Sequence, residues 1–188
     1  MAPAGATLSG ATLGILGLGA VGAEIARVAS LLGMRVIGTK RDPTPLPHVA
    51  QVLPPAETPR ALAESDYVLL LLPSTVETKG IIDKTALSRM KPSAYLLNFG
   101  RGDLVVDGDL VTAVSERRIA GAVLDVYTTE PLPAGHAFWT TPGIVVLPHV
   151  GGLHPQRDSL VAALWVDNLR RFLADRPLRE VVDRARGY

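Results

Sequence analysis

The chain has 188 residues, 47% of them hydrophobic, enough to bury a sizeable core in one domain or in one domain with appendages. Its 19 Lys and Arg nearly cancel its 18 Asp and Glu, so no global field recruits nucleic acid or a membrane surface, and any charge recognition is local. The absence of cysteine excludes disulfide scaffolds, thiol catalysis and thiolate zinc sites, and is compatible with a reducing cytoplasm, the expected location.

Residues 1–11 lack the basic region and long apolar stretch of a secretory signal and read as a leader outside the fold. Short apolar runs then recur at 12–16, 35–39, 67–72, 94–99, 120–124 and 144–147. All are far shorter than the roughly 20 residues of a membrane-spanning helix. They are continuously apolar rather than alternating, as strands covered on both faces are, and helical stretches separate them. The expected class is α/β, a doubly wound parallel sheet of the Rossmann type.

Between the first two runs, Val21, Ile25, Val28, Ala29 and Leu32 fall at helical spacing on one face, and Gly33 ends that helix. Residues 41–60 carry Pro43, Pro45, Pro47, Pro54, Pro55 and Pro59 and read mostly as loop, with a short edge strand near 49–53. Pro155 suits the first turn of a last helix, whose stripe Leu160, Val161, Leu164, Trp165, Leu169, Phe172 and Leu173 runs up to Arg176 and Pro177. The organisation expected is one main domain over 12–152 followed by a C-terminal helix and tail over 153–188.

The run Gly17, Leu18, Gly19, Ala20, Val21, Gly22 is a G-x-G-x-x-G placed after a strand and opening a helix. The first glycine permits the tight turn, the second lets backbone approach a pyrophosphate, and the third lets helix and strand pack closely. The helix N-terminus offers N–H groups to the anion. An acidic residue for the adenosine ribose is expected about 20 residues on. Thr39, Lys40 and Arg41 stand there instead. Two cations suit a ribose 2'-phosphate, so NADP is favoured over NAD; the alternative is that both are solvated charges and Asp42 holds the ribose.

Four further segments, 72–78 (LPSTVET), 98–102 (NFGRG), 124–133 (LDVYTTEPLP) and 148–152 (PHVGG), complete a pattern that resembles the coenzyme domain of the D-isomer-specific 2-hydroxyacid dehydrogenases. They occur in that family's order and near its spacing. The C-terminal run 181–188 resembles some members' C-terminus. The resemblance implies that Leu72, Pro73, Thr78, Phe99, Gly100, Asp125, His149 and Gly151 join the glycine turn and Thr39, Lys40 and Arg41 in holding the dinucleotide, with Asp125 on the nicotinamide carboxamide. It implies no metal.

The same resemblance implies the catalytic set Arg101, Glu130 and His149, and chemistry justifies each. Hydride leaves a carbinol carbon only as its hydroxyl loses a proton, which needs a base such as the His149 imidazole. A carboxylate, Glu130, orients the ring and stabilises the imidazolium. The planar cation Arg101 binds an anionic 2-oxo acid and the charge developing on its ketone, with Gly100 and Gly102 expected to permit a tight turn that aims it. His48 and His136 read as loop residues, His154 as a polar residue leading the last helix, and Trp139 and Trp165 as packing residues, within the core or at a subunit interface.

Complete members of that family also carry a substrate domain built on an N-terminal segment on the order of 100 residues. None precedes Thr12 here, so a chain that binds dinucleotide but turns over poorly is expected. The expected function is hydride transfer between NAD(P)H and a small 2-oxo or 2-hydroxy acid, in a homodimer formed through the coenzyme domain. The alternative function is a non-enzymatic, dinucleotide-sensing interaction module, and retention of the catalytic set argues against it.

Overall fold

In the computed structural model of the chain, residues 7–184 are described; residues 1–6 of the expected leader and 185–188 of the C-terminal run lie outside them. The chain divides into two compact units, Met1–Pro148 and His149–Tyr188. The break falls at His149, a few residues before the expected boundary at 153.

In the first unit the apolar runs form strands β1 (Thr12–Leu16), β2 (Arg35–Thr39), β3 (Gln51–Leu53), β4 (Tyr67–Leu70), β5 (Tyr95–Asn98), β6 (Gly121–Leu124) and β7 (Ile144–Val146). They make one seven-stranded sheet in the order β3-β2-β1-β4-β5-β6-β7, and every pairing is parallel. The continuous apolarity has the expected cause. Leu13, Ile15, Val36 and Leu69 face one buried cluster, while Leu16, Ile37, Val68 and Leu70 face the other. Alternate residues of β1, β2 and β4 thus feed opposite layers.

Helices α1 (Ala20–Leu31), α2 (Thr58–Glu64), α3 (Lys84–Leu87) and α4 (Asp107–Ser115) connect these strands. Gly33, at φ +80°, follows the end of α1 as expected. The face that α1 buries overlaps the expected one at Ala29 and half-buried Ile25, but Gly22 and Ala26 complete it while Val21, Val28 and Leu32 are exposed. Small side chains let the helix lie close on the sheet, and bulk rather than hydropathy decides which side turns in. The proline-rich stretch 41–60 is loop except for the edge strand β3, a 3-10 turn at Pro55–Glu57 and the start of α2 at Thr58. Pro59 sits in the first turn of α2, where a missing N–H costs no helical bond.

Part of the expected leader is tied to the fold. The Gly10 N–H donates to the Gly33 carbonyl at 2.9 Å and the Arg35 N–H to the Ala11 carbonyl at 2.9 Å. His48 lies in a loop, with its Nδ1 3.1 Å from Ser30 Oγ. His136 precedes a 3-10 turn and accepts the Phe138 N–H at Nδ1. Trp139 is not a core residue; it is 53% exposed and anchored by its indole N–H to the Pro133 carbonyl at 2.9 Å.

Asp66 ties the start of β1 to the neighbouring elements: it accepts the Thr12 N–H at 2.8 Å and faces Lys91 Nζ at 2.8 Å. Burial pushes its carboxyl up, but the Lys91 ammonium and the Thr12 N–H outweigh that and hold it below the ordinary aspartate range. A depressed carboxyl stabilises the fold above its unfolded-state pKa, and that stabilisation is lost as pH falls through the folded one. With solvent screening at this partly exposed site, Asp66→Ala is expected to cost about 1 kcal/mol at neutral pH. Denaturant titrations should show the difference shrinking below about pH 4; a difference independent of pH would assign the loss to packing.

The second unit is built on α5 (Arg157–Leu173). The helix begins at Arg157, two residues after Pro155, and ends at Leu173, short of Arg176. His154 leads it as expected, its Nδ1 accepting the Gln156 N–H at 3.1 Å. The tail returns along the helix. Asn168 exchanges hydrogen bonds with the Arg179 backbone at 3.0 and 2.8 Å, and Asp167 pairs with Arg171 and Arg179 at 2.9 and 3.3 Å. Among the described residues no helix is long and apolar enough to cross a membrane.

Candidate active site

In an open parallel sheet the carboxyl ends of the strands, and the point where strand order reverses, form the binding crevice. That point lies between β1 and β4 here. The predicted residues of the first unit leave those ends in turn: Gly17 after β1, Lys40 after β2, Leu72 and Pro73 after β4, Phe99 to Arg101 after β5, and Asp125 after β6.

The glycine turn has the three properties a pyrophosphate cradle needs. Gly17 adopts φ +109°, and a Cβ there would lie 2.9 Å from the Leu71 carbonyl carbon. A Cβ on Gly22 would lie 2.6 Å from the Gly17 carbonyl oxygen, so helix and turn pack too tightly for any side chain. A Cβ on Gly19 would meet nothing within 4 Å. Gly19 caps α1, a 12-residue helix, and opens its backbone to a ligand at the positive end of that helix. The Thr39 carbonyl accepts the Gly17 and Leu18 N–H groups at 3.3 and 3.0 Å, pinning the turn to β2. Leu18 is buried, Ala20 and Val21 are exposed. The chain therefore fits a dinucleotide pyrophosphate.

At the end of β2, Lys40 is half-buried and its N–H donates to the Leu53 carbonyl at 3.0 Å, while Arg41 and Asp42 are exposed. After β4, Thr78 braces its own loop: its hydroxyl donates to the Pro73 carbonyl at 2.6 Å and accepts the Thr75 N–H at 2.8 Å. Glu77 on that loop is held below the usual carboxylate range, first by the Thr75 hydroxyl, with a smaller contribution from the Arg41 guanidinium.

Arg101 is exposed in an extended conformation, φ −138° and ψ 148°, with Nη1 donating to the Gly100 carbonyl at 2.7 Å. The flanking glycines act differently from the expectation. Neither has positive φ; a Cβ on Gly100 would lie 2.8 Å from the Leu72 carbonyl oxygen and one on Gly102 1.9 Å from the Tyr127 carbonyl carbon. They are small because three strand-end loops are pressed together. Buried Asn98 completes the hold, its side-chain amide donating to the Arg101 carbonyl at 2.9 Å and its Oδ1 accepting the Gly100 N–H at 3.1 Å.

Asp125 is 2% exposed, with its N–H donating to the Asn98 carbonyl at 3.0 Å. Glu130 is exposed, and its Oε1 accepts the Tyr127 N–H at 2.9 Å. The Tyr127 hydroxyl lies 2.7 Å from both the Leu124 and the Leu147 carbonyl oxygens, joining the ends of β6 and β7. Burial pushes this hydroxyl's pKa up, and Asp125 and Glu130 add to that, so it remains a protonated donor. The sequence pattern assigns no role to Asn98 or Tyr127; only Asn98, a polar residue closing the apolar run of β5, carries a local signal. His149 and Gly151 belong to the second unit. His149 has φ +54° and precedes a turn closed by the Leu153 N–H on the Val150 carbonyl at 3.0 Å.

Residues 1–151 match the family model described as D-isomer specific 2-hydroxyacid dehydrogenase, NAD binding domain. The chain belongs to this family. It is 33% identical over 177 residues to a glyoxylate/hydroxypyruvate reductase A of Klebsiella pneumoniae, covering 94% of this chain and 56% of that protein. A human glyoxylate reductase/hydroxypyruvate reductase is 34% identical over 172 residues, covering 91% and 52%. The chain spans about half the length of the curated relatives it matches. Among solved structures, an NADPH-dependent glyoxylate/hydroxypyruvate reductase from Sinorhizobium meliloti in complex with NADP and sulfate superposes with a TM-score of 0.89 at 30% identity, covering 97% of this chain and 58% of that one. A family member from Xanthobacter autotrophicus in complex with NADPH and MES gives 0.88 at 35% identity, covering 95% and 73%.

Proposed function

We propose that this chain provides the coenzyme site and the acid–base groups of a reductase that transfers hydride from NADPH to a small 2-oxo acid such as glyoxylate or hydroxypyruvate. The observation that carries this reading is the arrangement of a phosphate-fitting glycine turn, two cations and Arg101 at the carboxyl ends of one parallel sheet. The glyoxylate/hydroxypyruvate reductase activity of the family relatives and the NADP of the solved neighbours support it. The dinucleotide supplies the hydride. Arg101 binds the substrate carboxylate and stabilises the charge developing on the ketone oxygen. His149 delivers the proton that this oxygen takes up, and Glu130 is the carboxylate assigned to orient the imidazole. Asp125 holds the nicotinamide carboxamide. The assay is NADPH oxidation with glyoxylate, hydroxypyruvate and pyruvate; a chain that neither binds NADPH nor contributes to its oxidation would overturn the reading.

Lys40 and Arg41 are the proposed 2'-phosphate ligands. Charge-assisted hydrogen bonds contribute about 1.5 to 3 kcal/mol each before screening, so NADPH is expected to bind at least about tenfold more tightly than NADH. Calorimetric titration of both, repeated on Lys40→Asp, checks this: equal affinities in the wild type, or an unchanged preference in the variant, would return the ribose to Asp42. We also propose a cytoplasmic homodimer formed through the coenzyme domain, with exposed Trp139, Trp165 and Phe172 as candidate contacts; a monomeric mass by light scattering at micromolar concentration would count against the dimer.

A further inference from the structure

We propose that Asp103 is a positioning residue for coenzyme binding, pinning the loop after β4 to the rigid turn that carries Arg101. The inference rests on the coenzyme reading above.

The two loops differ in how firmly they are held. The Arg101 turn is fixed from below by Asn98 and from the side by Gly102, whose Cα lies against the Tyr127 backbone. The loop 73–79 is much more open to solvent: Ser74, Val76, Glu77 and Lys79 are all exposed. Its base is stitched to the segment beyond Arg101. The Gly80 N–H donates to the Asp103 carbonyl at 2.8 Å and the Ile82 N–H to the Leu104 carbonyl at 3.0 Å. At the crevice end, side chains take over. The Ser74 hydroxyl donates to Asp103 Oδ2 at 2.6 Å, and Lys79 Nζ approaches the same oxygen at 3.6 Å. Two side chains of one loop thus converge on a single carboxylate oxygen of the other.

The second oxygen, Oδ1, is buried and takes no hydrogen bond from the described residues. A carboxylate placed this way is costly, because burying an acceptor without a partner carries a desolvation penalty. Packing alone would be served as well by an apolar residue. The charged group is kept for what Oδ2 does: a short, charge-assisted bond that sets where Ser74, and hence Pro73 beside it, stands against the dinucleotide. Loss of this tie leaves the loop to be ordered when the coenzyme binds, which weakens binding without touching any group that contacts the 2'-phosphate.

The test is calorimetric titration of the full chain with NADPH and with NADH. Asp103→Ala and Ser74→Ala are each expected to weaken both dinucleotides by a similar factor, about three- to tenfold, because the lost bond acts through the order of a solvent-exposed loop and only part of its strength reaches the ligand. The double variant should be no weaker than the weaker single one, because both remove the same bond. Asp103→Asn should recover part of the affinity, since its amide oxygen still accepts the Ser74 hydroxyl but without the charge. Ser74 is exposed, so its variant tests the idea even where Asp103→Ala fails to fold. Unchanged affinities in folded Ser74→Ala, or additive losses in the double variant, would overturn the inference while leaving the coenzyme reading intact. A folded wild-type chain that bound neither dinucleotide would overturn both.

Discussion

Replacing His149 by alanine is expected to lower kcat for NADPH-dependent glyoxylate reduction by about 10²- to 10⁴-fold, the range a positioned acid–base group contributes. Reduction leaves a negative charge on the former ketone oxygen, and without a donor the proton must come from water, which is a poor acid and is not held in place. Dinucleotide affinity should change far less, because the proposed reading places the anionic part of the coenzyme on the glycine turn and on Lys40 and Arg41. The measurement therefore pairs steady-state kinetics with calorimetric titration. The wild-type rate is the reference whatever its size, since the orientation of substrate against the nicotinamide contributes separately and by a larger factor. Glu130→Gln should give a smaller loss in kcat, because it keeps the imidazole and removes the carboxylate assigned to orient it. An alanine variant at position 149 that retained a kcat within tenfold of the wild type would remove His149 from the chemistry.

The second large effect is expected at Gly102. A Cβ there would lie 1.9 Å from the Tyr127 carbonyl carbon, 2.2 Å from its oxygen and 2.3 Å from the Thr128 nitrogen. All three are backbone atoms, and Tyr127 is itself bonded to the ends of β6 and β7, so no side chain can swing aside to make room. Gly102→Ala is expected to cost about 3 kcal/mol, the upper end for overpacking, and to lower Tm by about 6 to 12 °C for a chain of this size. Relief requires the turn to back away from Tyr127, which carries Arg101 with it, so whatever substrate reduction the chain supports should fall as well. Thermal unfolding followed by circular dichroism checks the first effect. A Tm within about 2 °C of the wild type would show that the loops separate cheaply.

The strands were legible in the sequence because a sheet covered on both faces needs apolar residues at successive positions, and Leu13 and Ile15 on one side with Leu16 on the other show this directly. The glycine turn was legible because backbone geometry and phosphate chemistry demand the same residues. The inward face of α1 was legible only at Ile25 and Ala29. Val21, Val28 and Leu32 carry the hydropathy, yet Gly22, Ala26 and Ala29 face the sheet, since close approach depends on size. Helix α2 was hidden by prolines that ordinarily break helices but are harmless in a first turn. The roles of Asn98, Asp103 and Tyr127 are tertiary: each polar side chain is satisfied by a residue of another loop or strand end, and no local pattern announces such a partner.

Within the glycine turn the three positions answer to different demands. Gly17 and Gly22 are confined by the protein's own backbone, whereas nothing of the protein lies within 4 Å of where a Gly19 side chain would begin. A mutational scan of this turn should therefore separate two phenotypes that the glycine motif by itself would merge. Bulk at 17 or 22 is a folding lesion, visible in yield and melting temperature. Bulk at 19 is a recognition lesion in a well-folded protein, visible only when ligand is added. The turn thus contains, one residue from Ala20, a site where binding can be silenced while the scaffold stays intact.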